Sequence, residues 1–141
     1  MTTTEKKKTM FGKKIAVILF YIMFVYSGFK KITLFPKKVN VLQNKTNVNR
    51  FLAEIGMILV IILEIIGSFI IIIDTFYPKT INKEIVNFTY LSFLLFLIVV
   101  TAIYHPPTQQ MIPFMSNLTT FAGILYLYYD WLGQGRCLSH N

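Results

Sequence analysis

The most apolar stretch of this chain, VIILEIIGSFIIII at Val60–Ile73, carries a carboxylate, Glu64. Three further residues could do chemistry with it: the ammonium of Lys31, the imidazole of His105 and the amide of Asn117. An acid, a base and an amide brought together in an apolar surround can hold or move a proton. They can also orient a polar headgroup, or lock helices together through hydrogen bonds. Ionisable side chains inside a membrane point to function by default, so Glu64 is the first candidate.

These residues need elements to carry them. The chain has 141 residues, 55% hydrophobic and 14% charged. That is too little polar surface for a soluble domain of this length. The apolar residues gather in four runs, which predict spanning helices over about 11–29, 55–73, 85–104 and 112–132. At about 1.5 Å per residue, each can cross a hydrocarbon core of about 30 Å. The runs are apolar all round, which argues against a soluble bundle. The expected fold is therefore all-α: a polytopic membrane protein built as an antiparallel four-transmembrane-helix bundle over residues 11–132. A basic disordered tail over 1–10 and a polar C-terminal tail over 133–141 flank it.

Glu64 does not prevent insertion. An acid at a helix centre opposes insertion by about 2.5–3.5 kcal/mol. Fifteen of the residues in Ile55–Ile73 are Ile, Leu, Val, Met or Phe, and together they contribute of order −6 kcal/mol.

The net charge is +8. The cations sit mostly at segment ends, with no groove or stacking pattern for nucleic acid, so nucleic acid is not an expected partner. With four spans, the termini and the second loop carry eight Lys and Arg residues, against six in the first loop and none in the third. That excess favours cytoplasmic termini. The first run has the basic start of a signal peptide, but it is long and lacks an A-x-A-like cleavage site, so it reads as a span. The single thiol, Cys137, excludes an internal disulfide, a CxxC pair and a cysteine zinc site. It leaves an intermolecular disulfide or lipidation beside the plainer reading of an inert thiol. Of three N-x-T sequons, only Asn44 falls in an expected loop; Asn87 and Asn117 fall at or within spans.

Chain parity places the polar candidates together whichever way the chain is inserted. The end of span one, the start of span two, the end of span three and the start of span four share one side. Lys31, Glu64, His105 and Asn117 thus lie between the midplane and one membrane face. In span two, Ala53, Gly56, Glu64, Gly67 and Ser68 fall near one stripe, and small residues permit close helix approach. Gly28, Gly56, Gly67 and Gly123 are the candidate helix-packing positions. Tyr126, Tyr128, Tyr129 and Trp131 read as an interfacial aromatic belt. Pro106 should end the third span at His105, and Gly133 and Gly135 should end the fourth after Leu132.

The segments YSGFKKI, LEIIGSFIII and NLTTFAGILYLYY, followed by GQGR, carry a resemblance to the DoxX family of small membrane proteins. Gly28 with Lys31, Glu64 with Gly67, Asn117 with Gly123, and Gly133-Gln134-Gly135-Arg136 match the family's motifs in order. The tail departs from the family after Arg136, where Cys137-Leu138-Ser139-His140 replaces an aromatic, a serine and an acid. The resemblance implies a four-helix membrane protein. It also implies either a subunit of a quinone-linked oxidoreductase or an accessory or assembly factor for other membrane proteins.

Three functions follow. The leading one is an accessory, assembly or scaffold module, partnered by the lipid bilayer and by other membrane proteins or copies of itself. The second is a quinone-linked redox subunit using Glu64, Lys31, His105 and Asn117, with quinone as the cofactor. The third is a small transporter, which would normally show inverted repeats or broken helices. Nothing marks the chain as an enzyme on its own, and no metal-ligand set is visible.

Overall fold

The computed structural model describes residues 3–78, 80–105 and 110–137, and every regular element among them is helical. The elements are α1 (Thr3–Thr33), α2 (Phe35–Thr46), α3 (Arg50–Ile62), a π turn (Leu63–Gly67), α4 (Ser68–Phe76), α5 (Lys83–Tyr104) and α6 (Met111–Cys137). The chain divides into two compact units, Met1–Thr89 and Tyr90–Asn141, with the boundary inside α5.

Among the described residues, three helical stretches are long and apolar enough to cross a membrane: Met10–Thr33, Arg50–Phe76 and Lys83–Tyr104. They contain the first three expected spans. The fourth expected span lies in α6, which is long enough but more polar. Ser116, Asn117, Thr119, Thr120 and Asp130 dilute its apolar content.

In the first unit, α1 runs antiparallel to the α3–π–α4 rod. The Lys14 Nζ lies 5.1 Å from the Phe76 ring centre, a Cβ at Gly28 would meet Ile65, and Lys31 reaches Glu64. As one partner advances along the chain, the other retreats. Val17, Tyr21, Phe24 and Gly28 of α1 are buried, as are Gly67, Ser68 and Ile71 of the rod.

The first loop differs from expectation. The long loop between Lys30 and Arg50, where the sequence leaves room for a short interfacial segment, holds the twelve-residue helix α2. Leu34 (φ −112°, ψ 25°) interrupts the helix, and Pro36 sits in the first turn of α2, where no N–H is needed. α2 folds along α3: Val39, Ala53 and Met57 form a small core, with Phe35, Leu42, Val48 and Ile61 packed on it. Asn47, in the left-handed region at φ 53°, closes α2 by donating its N–H to Gln43 O. The Asn49 side chain then caps α3, accepting from Leu52 N at 2.8 Å. Asn44, the sequon in the expected loop, is exposed on α2.

Both tails are also more helical than expected. α1 begins at Thr3; the run before Gly12 is rich in Lys, a good helix former, and has neither Gly nor Pro to stop it. α6 continues to Cys137, past the glycines expected to end it. No glycine among the described residues has positive φ. A lone Gly in a helix interior costs only about 1 kcal/mol against Ala, too little to stop α6.

In the second unit, α5 ends at Tyr104, as expected from the following His-Pro-Pro, and His105 N–H still donates to Thr101 O at 3.0 Å. Pro106 lies outside the described residues. Phe93, Leu94, Leu97 and Ile124 are buried. The four aromatics of α6 divide. The Tyr128 and Trp131 rings lie 5.5 and 5.9 Å from that of Tyr90, whereas Tyr126 and Tyr129 are exposed.

Candidate functional site

Glu64 stands in the π turn near the middle of the 27-residue Arg50–Phe76 stretch. Its side chain is 3% exposed. A π turn inside an α-helix re-aims the backbone at one point and frees a carbonyl from its usual partner. Here the Ser68 N–H donates to Ile65 O, and the Ser68 hydroxyl donates to Glu64 O at 2.6 Å. The hydroxyl thus serves the carbonyl that its own N–H has left, a local hydrogen bond typical of serine within helices. The Gly67–Ser68 pair gives the backbone room for this departure from regular winding.

Lys31, in the last turn of α1, reaches the carboxylate symmetrically. Its Nζ lies 2.7 Å from Glu64 Oε1 and 2.7 Å from Oε2. A third bond, also 2.7 Å, goes to Ser27 Oγ, one helical turn earlier. The Ser27 hydroxyl in turn donates to Oε1 at 3.3 Å. An ammonium has three N–H donors, and all three are used.

Gly28 lets the two helices approach. A Cβ there would stand 2.6 Å from Ile65 Cγ1 and 3.4 Å from Glu64 Cβ. Close approach matters because Lys31 must bring its whole ammonium to a buried acid. Gly56 is a different case. A Cβ there would meet only Leu42 Cδ2, at an ordinary 3.7 Å, so its smallness is not needed for packing. Gly67 is buried in the π turn, and Gly123 is half-buried on α6.

The structure brings Lys31 and Glu64 together as the sequence suggests. His105 and Asn117 belong to the second unit, and both are bonded within it. Asn117 Nδ2 donates to Thr101 Oγ1 at 3.1 Å, joining α6 to α5. His105 Nδ1 lies 2.6 Å from Gln110 Oε1. An amide oxygen only accepts, so Nδ1 carries the proton in this contact. Sequence reasoning missed Ser27, the π turn and Gln110; Thr101 shares a helical stripe with His105 and Tyr90 in span three. Ser27 was findable, since it stands four residues before Lys31 on the same helical face.

A quinone carbonyl bound beside Glu64 would need a hydrogen-bond donor. The three donors of Lys31 are committed to Glu64 and Ser27, and the Ser27 hydroxyl is aimed at Glu64. Neither Lys31 nor Ser27 can therefore serve a quinone headgroup at this point without breaking the ion pair. Among the described residues, no group of three or more His, Cys, Asp or Glu could hold a metal ion.

Compared with protein-family models, curated proteins and solved structures, the chain matches none. The resemblance to the DoxX family rests on its short motifs alone. Two of these, Gly28 with Lys31 and Glu64 with Gly67, meet at this ion pair.

Proposed function

We propose that this chain is a DoxX-like, four-crossing membrane protein with cytoplasmic termini. It acts as an accessory, assembly or scaffold module for other membrane proteins. The observation that carries this reading is the closure of the polar site against the openness of the apolar surface. Glu64 is held by both oxygens to Lys31, with Ser27 adding a bond to Oε1. Meanwhile only 22%, 28% and 33% of the three apolar windows is buried within the chain. A closed ion pair fixes helix register, and the open helix faces are left for lipid, for partner helices or for a second copy. α6 supplies the fourth crossing in this reading, with Asn117 bonded to Thr101 of α5 and the Thr119 and Thr120 hydroxyls bonded to its own backbone.

Crosslinking in native membranes, followed by purification into nanodiscs, tests the proposal on the wild type and on Glu64→Gln. The module reading expects one membrane partner, or a second copy, at fixed stoichiometry and retained in the variant. A chain that crosslinks to nothing and holds stoichiometric quinone, lost in Glu64→Gln, would replace it with the redox reading. Cysteine-accessibility mapping of residues 78–83, 105–110 and the two ends checks the number of crossings.

A further inference from the structure

Residues 30–53 contain six cations, Lys30, Lys31, Lys37, Lys38, Lys45 and Arg50, and no Asp or Glu. Two of the six are neutralised. Lys31 is held by Glu64, and Arg50 Nε lies 2.9 Å from Glu54 Oε1. Lys30, Lys37 and Lys45 are exposed, and Lys38 is half-buried. On α2 they are not scattered. With Phe35, Val39 and Leu42 turned to α3, the 100° helical step puts Lys37, Lys38 and Lys45 on one flank, with exposed Val41 between them. An apolar side chain set among lysines on an amphipathic helix is the pattern of a segment seated at the boundary of headgroups and acyl chains.

The length of the rod supports that depth, given the membrane reading above, on which this inference rests. Arg50–Phe76 has 27 residues, about 40 Å of helix. That exceeds a hydrocarbon core of about 30 Å and approaches the full bilayer with its headgroups. α1 pairs with the part from Glu64 to Phe76, whereas α2 covers Ala53 to Ile61. α2 runs back along α3 from the Arg50 end of the rod, so Lys45 lies nearest that end, while Lys37 and Lys38 lie nearer Ile61 and reach the headgroups through their long side chains.

We propose that the Lys37–Lys38–Lys45 flank of α2 binds anionic phospholipid headgroups, with Val41 resting on their acyl chains. The partner is chosen by charge: a helix flank with three cations, in a stretch 30–53 that holds no Asp or Glu, attracts an anion, and anionic lipid supplies one at the membrane surface. Attraction of about fivefold per lysine is the scale for basic residues at an anionic surface.

The full-length protein would be placed in nanodiscs of phosphatidylcholine, with or without a minor fraction of phosphatidylglycerol, and its retained lipid read by native mass spectrometry. Wild type should enrich phosphatidylglycerol. Lys37→Gln/Lys38→Gln/Lys45→Gln should lose at least about tenfold of that enrichment, while Lys83→Gln, on α5, should not. Inorganic phosphate should fail to compete, since the acyl contact is missing. Equal enrichment in wild type and triple variant would overturn the inference, as would full competition by free phosphate. Melting in phosphatidylcholine alone should be the same for wild type and triple variant, so that loss of lipid is not loss of fold. Extraction of the wild type from membranes at alkaline pH would overturn the membrane reading and this inference with it. Secure insertion without enrichment would overturn this inference alone.

Discussion

The two units treat their polar groups differently. In the first, a full charge is buried and held by several bonds: the three donors of Lys31 meet Glu64 and Ser27, Ser27 donates to Glu64, and Ser68 serves the Glu64 carbonyl. In the second, an amide and an imidazole make single side-chain bonds and stay partly exposed, as in Asn117 to Thr101 and His105 to Gln110. The difference follows the desolvation cost. An unpaired charge in an apolar surround is intolerable, whereas an amide or hydroxyl with one partner is only modestly unfavourable. Closure is therefore demanded at Glu64 and optional at Asn117.

Breaking the ion pair should have the largest effect. Glu64→Leu leaves a buried ammonium, and Lys31→Met leaves a buried carboxylate. Each should lose about 3–5 kcal/mol of stability, read as a lowered unfolding midpoint in nanodiscs. Lys31→Met/Glu64→Leu together should recover most of it, because a matched apolar pair is often neutral. A double variant as unstable as the singles would show that the pair does more than cancel its own charge. A fully stable double variant that lost its membrane partner would assign the pair to recognition.

Next in size is the contact that makes the pair possible. Gly28→Ala puts a Cβ 2.6 Å from Ile65 Cγ1, and relieving such overpacking typically costs about 1–3 kcal/mol. Ile65→Ala in the same chain should restore part of it. Gly56→Ala is the control. Its Cβ meets ordinary contact at 3.7 Å, so better helix propensity should leave stability unchanged or raised by up to about 1 kcal/mol. Equal losses at the two positions would erase the distinction drawn between them.

Smaller still is the cap on α3. Asn49→Ala removes the acceptor for Leu52 N and should cost about 1 kcal/mol. Faster amide exchange should then be confined to the first turn of α3.

The sequence revealed what depends on composition and missed what depends on local backbone choice. Three apolar helices were legible because length and hydropathy suffice to define them. The meeting of Lys31 with Glu64 was legible because chain parity puts a helix end opposite a helix middle. The partner of Asn117 was not, since parity narrows it only to a half-membrane; that it bonds Thr101 depends on helix rotation. α2 was hidden because its Asn, Gln and Lys content reads as loop, and its helicity depends on packing Val39 and Leu42 against α3. The π turn was hidden because it changes one carbonyl's partner and leaves composition untouched. Only the Gly67–Ser68 pair hinted at it.

The smallest expected effect sharpens the comparison most. Interhelical hydrogen bonds between neutral side chains in membranes average about 0.6 kcal/mol in double-mutant cycles, because the unfolded chain in lipid also finds partners. Asn117→Leu and Thr101→Val should each lower stability slightly, with a coupling of about that size. The corresponding coupling for Lys31 and Glu64 should be several times larger, because there each single variant strands a charge. A coupling of several kcal/mol between Asn117 and Thr101 would mean that the bond is as closed as the ion pair. The second unit would then hold a buried polar site of its own, and the contrast in how the two units satisfy their polar groups would fail.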